Sequence, residues 1–118
     1  VTDFKTGSVR KKPDIEKLDP EGRMSGNLRQ LAMYSYLLEN NSKLSVRESR
    51  LEFLEAKNPE ESIYDRIITS NETELLTKDI EDYDSLVKNG KWPERSCNYN
   101  SYGKNTECEY CKMAEIYK

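Results

Sequence analysis

From Ser25 to Asn41 the chain carries a single apolar stripe of helical period, Leu28, Leu31, Ala32, Ser35 and Leu38, and the segments on either side of it alternate instead. A helix with one apolar face has to cover something, and half-buried strands are what these neighbours supply. Val1 to Thr6 alternates, with Gly7 as its exit. Further on, RLEFLEAK (50–57) and SIYDRIIT (62–69) read as two strands joined by a hairpin connection at Asn58-Pro59-Glu60-Glu61. Leu51 and Phe53 share one face of the first, and Ile63, Asp65 and Ile67 one face of the second. A second helix is expected from near Asn71, where Asn71 and Glu74 have the spacing of a capping box. Leu76, Ile80, Tyr83 and Val87 form its expected buried stripe, and Gly90 its end. Residues 8–24, with two prolines and mixed charge, read as a connection longer than compact domains normally use. The order β-α-β-β-α predicts an α/β (α+β) layer architecture, a small mixed sheet with two main helices. Residues 1–90 hold this core and residues 91–118 an irregular, tyrosine-rich tail with the cysteines.

Composition narrows the function classes. With 118 residues, 35% hydrophobic and 35% charged, the chain supports one thin core. Its net charge of -3 lacks the basic excess of a protein that wraps nucleic acid unaided, so any DNA contact is expected to be local or completed by other parts. No run of about 18 apolar residues occurs and no secretory leader is visible, which favours a cytoplasmic setting without a membrane. The chain has no histidine. Serine-histidine and cysteine-histidine nucleophile pairs and histidine metal sites are therefore excluded from this segment, leaving acid, lysine and tyrosine chemistry.

The first strand supplies such chemistry. Alternation makes Asp3 and Lys5 project together and sends Phe4 to the opposite face, expected to be the packed one. By itself this acid and amine read as a surface ion pair of little value. On the first helix Gln30 and Tyr34 stand four residues apart, stacked on one side and flanking the apolar stripe.

Together, D-F-K-T-G followed by R-Q-L-x-x-Y resembles the PD-(D/E)xK nuclease superfamily in its RecB-like branch. The order TDFKTG, a charged loop, LRQLAMYSYLLE, LEFLEA, a further strand, a helix and CEYC is similar to the C-terminal nuclease region of UvrD/Rep-type helicases. The resemblance implies a partial restriction-endonuclease-like fold and Mg2+- or Mn2+-dependent hydrolysis of DNA phosphodiesters, in the service of repair or recombination. Asp3 would bind the ion together with the Phe4 carbonyl, and Lys5 would orient the attacking water and offset charge on the phosphate. Gln30 and Tyr34 would position the site and the nucleic-acid strand. Arg29 and the trio Arg10, Lys11 and Lys12 are candidate phosphate contacts, or simply solvated surface. Family members carry another metal-binding acid on a preceding strand, which no residue here matches. The expectation is of a fragment, inactive or nearly so alone, whose partners are DNA and upstream nuclease and helicase domains. Its open sheet edge makes self-association plausible. A non-catalytic helicase-docking or DNA-guiding module and a stand-alone CRISPR-associated or phage-type exonuclease are the alternatives.

Cys97, Cys108 and Cys111 are spaced C-x10-C-x2-C. They fit either structural thiols or part of a zinc or iron-sulfur site, since related nucleases staple their ends with four cysteines and this chain has Tyr117 at the last position. Trp92, Tyr99, Tyr102 and Tyr110 suit either base stacking or packing of the domain edge. Met24 and Met33 are expected as core or loop filler.

Overall fold

The computed structural model describes residues 1–91 together with Lys112, Met113 and Ile116. The cysteines, Trp92 and the three tyrosines just named lie outside the described residues. A first unit, Val1–Ile80, contains the sheet and the helices packed on it, and a second begins at Glu81 within the last helix. The elements are β1 (Thr2–Lys5), α1 (Lys12–Glu16), α2 (Gly26–Asn41), β2 (Ser49–Phe53), a 3-10 turn (Pro59–Glu61), β3 (Ile63–Arg66) and α3 (Ser70–Lys88). The architecture is α+β, with a three-stranded mixed sheet in the order β1-β2-β3. β1 runs parallel to β2, and β2 pairs antiparallel with β3 across the hairpin at Asn58 to Glu61. Parallel neighbours require a crossover, and α2 is that crossover.

Register explains which face is buried. Asp3 pairs with Leu51 and Lys5 with Phe53, while Leu51 also faces Tyr64. Leu51, Phe53 and Tyr64 join Leu28, Leu31 and Ala32 of α2 in one core with Ile15, Met24 and Leu76. The polar pair of β1 thus lies on the helix-covered face. Phe4, in register with Glu52 and Ile63, lies on the other face and is 60% exposed, contrary to the expectation that it packs. Alternation alone separates two faces without saying which receives the helix; the partner strand decides that. Phe4→Thr should therefore leave the urea midpoint nearly unchanged, within about 0.5 kcal/mol of stability.

Three further expectations change. Residues 8–24 are not wholly irregular: Pro13 sits in the first turn of α1, where its missing N–H costs nothing, and α1 buries Ile15. The Ser25 hydroxyl donates to the Ile15 carbonyl at 2.6 Å and accepts from the Leu28 N–H at 3.2 Å, so one side chain ties α1 down and caps α2. The capping box of α3 is Thr69 and Glu72, not Asn71 and Glu74, because the Glu72 carboxylate accepts from the Thr69 N–H at 2.7 Å. Of the stripe expected on α3 only Leu76 is buried, with Ile80, Tyr83 and Val87 exposed; a helical period predicts a face, not its cover. Gly90 does end α3: its φ of +64° and the bond from the Lys91 N–H to the Leu86 carbonyl, 3.0 Å, form a Schellman closure. Among the described residues no helix is long and apolar enough to cross a membrane.

Candidate active site

Asp3 and Lys5 sit one turn of the pleat apart on β1, held in place where the Val1 carbonyl accepts from the Arg50 N–H at 2.7 Å and the Lys5 carbonyl from the Leu54 N–H at 2.9 Å. Both side chains are largely buried beneath α2, at 15% and 23% exposure. Burying two charges is costly unless they are paired, and these are: Lys5 Nζ lies 2.7 Å from Asp3 Oδ2. The contact is short in distance but lacks hydrogen-bond alignment, so the buried Asp3 Oδ2 keeps unused acceptor capacity. Lys5 also donates to Gln30 Oε1, and Gln30 Nε2 donates to the Tyr34 hydroxyl at 2.7 Å. Four side chains from β1 and α2 thereby form one continuous polar line, Asp3, Lys5, Gln30 and Tyr34. Ser25 fixes the start of α2 and the buried stripe its rotation, which together aim Gln30 at the strand.

The donor set available to a metal ion is hard oxygen. Val1 and Lys5 carbonyls point to β2, so alternation along the strand turns the Phe4 carbonyl to the outer edge of β1. Asp3 and that carbonyl suit Mg2+ or Mn2+ in kind, and the unsatisfied Asp3 oxygen is what a cation would complete. They are two ligands. Among the described residues no group of three or more His, Cys, Asp or Glu is placed to hold a metal ion.

The basic candidates are placed differently. Arg29 is engaged within the domain, its Nε 3.1 Å from Asp79 Oδ2 and a terminal nitrogen donating to the Met24 carbonyl at 3.0 Å. Arg10 and Lys11 are exposed just before α1, and Lys12 Nζ lies 3.9 Å from Glu16 Oε1.

A network that sequence reasoning missed fixes α1, and with it the start of the basic trio's helix. Glu16 Oε1 accepts from the Tyr64 hydroxyl at 2.9 Å and from Arg66 at 2.8 Å, and Arg66 reaches on to Glu72 at 2.6 Å. Burial and the bond to Glu16 push the Tyr64 phenol up to about 12, keeping it a donor. Burial also raises the Glu72 carboxyl, but the Thr69 N–H, the Arg66 guanidinium and the Thr69 hydroxyl outweigh it and hold the group below its ordinary 4.5. A depressed carboxyl stabilises the fold fully above that ordinary value, and its contribution is lost as pH falls through the lower folded value. Urea unfolding of wild type and Glu72→Gln should accordingly differ most near neutrality and converge in acid. The readable signal was T-x-x-E at Thr69 and Glu72. The contact of Arg66 with Glu16, 50 residues away, has none.

A cavity of about 460 Å3 lies elsewhere, beside Ser35, Glu39, Val46 and the first turn of α3. It shares no residue with the polar line, and Glu39 and Glu74 in its wall disfavour a phosphate.

The family model of the PD-(D/E)XK nuclease superfamily matches residues 1–116. The chain belongs to that superfamily. No curated protein and no solved structure matches it. Membership in this nuclease superfamily implies phosphodiester hydrolysis with DNA as substrate, and nucleases of this kind generally use divalent metal ions. The three-stranded mixed sheet with its helices is consistent with part of a restriction-endonuclease-like fold.

Proposed function

We propose that this nuclease chain is the C-terminal part of a Mg2+-dependent, RecB-like DNA nuclease domain. In this reading the domain is joined to an ATP-driven helicase of the UvrD/Rep type and acts in the cytoplasm in DNA repair or recombination. The observation that supports it is the line from Asp3 through Lys5 and Gln30 to Tyr34, built from β1 and α2 of a superfamily member. The helicase connection rests on the order of segments from TDFKTG to CEYC.

Asp3 and the Phe4 carbonyl would hold the ion, which supplies Lewis acidity at the scissile phosphate and a bound water of lowered pKa. Lys5 has three donors, of which Gln30 takes one, while the Asp3 carboxylate holds the ammonium as an ion pair. The remaining donor capacity would offset charge on the phosphate, and the two contacts prevent the flexible stem from wandering. Gln30 acts through Lys5, as the group that holds it. One carboxylate, one carbonyl and waters make a poor Mg2+ site, so a further acid from an upstream strand would complete it.

Mg2+-dependent cleavage of single-stranded DNA by this chain, compared with a version extended upstream by one strand or more, tests this. The chain alone is expected to be inactive or nearly so and the extended protein active. Equal activity in both would overturn the need for another acid. Inactivity of the extended protein would favour the DNA-guiding module.

A further inference from the structure

Two cations have a claim on one oxygen. Asp3 Oδ2 is buried and without a hydrogen-bond partner, so it is the oxygen that an ion would complete. It is also the atom that Lys5 Nζ faces at 2.7 Å. A carboxylate taken out of water is costly unless a positive charge accompanies it, and β1 supplies that charge itself, two residues along on the same face. Asp3 therefore does not depend on a metal for neutralisation. Lys5, for its part, does not depend on Asp3 alone, because Gln30 Oε1 on α2 accepts one of its three donors.

We propose that Lys5 is the resident counter-cation of Asp3, which a divalent ion has to displace, and that this competition sets the affinity of the site for its metal. The proposal rests on the nuclease reading and adds to it a control on metal loading. On exchange, Lys5 gives up Asp3 and keeps Gln30, so the ammonium stays within the fold. The exchange costs an ion pair and brings like charges together, so Lys5 weakens metal binding even while it serves the reaction. A lysine that only oriented a water or a phosphate would not oppose the ion.

The experiment is a titration of the upstream-extended protein with Mn2+ in the absence of DNA, followed by the electron paramagnetic resonance signal of the free ion. Lys5→Met keeps an unbranched stem without the charge. It is expected to bind Mn2+ at least about 10-fold more tightly than the unsubstituted protein, because charges this close in a partly buried site interact strongly. Lys43→Met removes the same charge from an exposed position beyond the end of α2 and should leave the affinity unchanged. Equal or weaker binding by Lys5→Met, with a saturable site in the unsubstituted protein, overturns the proposal and leaves the nuclease reading standing. Absence of a saturable site in every protein tested overturns that reading and the proposal with it.

A second measurement needs no metal. Urea unfolding of the full chain in EDTA is compared for Asp3→Asn, Lys5→Met and the double variant. Each single substitution strands one largely buried charge and should lower the midpoint, whereas the double variant removes both charges and should regain most of the loss. Additive losses would mean that Lys5 does not neutralise Asp3, and would overturn the proposal whatever the titration gives.

Discussion

Lys5→Ala, introduced into the upstream-extended protein, is expected to lower the rate of metal-dependent DNA cleavage by about 100- to 1000-fold, the scale on which removal of one preorganised electrostatic donor acts. The loss should fall on the chemical step, with DNA affinity changed much less, because Lys5 is held by Asp3 and Gln30 inside the fold instead of projecting to a distant phosphate. Single-turnover kinetics separates the two. Lys5→Arg should not restore the rate: a planar guanidinium in the same space cannot keep both partners in the arrangement that a compact ammonium allows. Gln30→Ala is expected to be milder, since it frees Lys5 without removing its charge. Equal rates for Lys5→Ala and wild type would remove Lys5 from the site.

The second large effect is structural. Leu31→Ala should destabilise the chain by about 2–5 kcal/mol, the range for a buried leucine truncated to alanine. Leu31 is fully buried on α2, where it joins the apolar core that also contains Leu51 and Phe53 of β2. A domain of this kind has only about 5–15 kcal/mol of stability in total, so the substitution removes a large part of it. Leu31 also follows Gln30 directly, and loosening α2 on the sheet loosens the Lys5 contact. Urea titration should show an early midpoint for Leu31→Ala and an ordinary one for Phe4→Thr, although both residues are large, apolar and within regular structure. Similar losses at the two positions would contradict the assignment of the buried face.

Why some of this was legible and some not follows from what each signal encodes. The helix at 26–41 was readable because its period, its cap at Ser25 and its polar end all agree; Leu28, Leu31, Ala32 and Ser35 of the expected stripe are buried, while Leu38, in the last turn, is exposed. Ser35 looked out of place on such a face; Ser49 of β2 meets it at 3.0 Å and satisfies its hydroxyl. That partner lies 14 residues away and no local pattern reveals it. The same holds for Phe4. Period two fixes that Asp3 and Lys5 share a side, and the structure brings that side under α2, but only pairing with Leu51 and Phe53 determines it. α1 was missed because five residues with a proline carry too little period to register, and its hold on the domain comes from Ile15 and from Glu16, both acting at long range. In the candidate site, residue types and spacing were visible in D-F-K and Q-x-x-x-Y. The bond from Lys5 to Gln30 was not, because it depends on contact between elements 25 residues apart.

The basic residues are a different case. Arg29 stands beside Gln30 and looks available for a phosphate, yet Asp79 and the Met24 carbonyl occupy it. Charge on a helix is legible; its partner is not.

Titration of Mn2+ into the upstream-extended protein, followed by the loss of free-ion electron paramagnetic resonance signal and set against Asp3→Asn, tests the central claim most directly. The account predicts a stoichiometric site in the unsubstituted protein, at least about 10-fold weaker in Asp3→Asn because one carboxylate charge is lost from a site of few ligands. Equal affinity in the two proteins would contradict it.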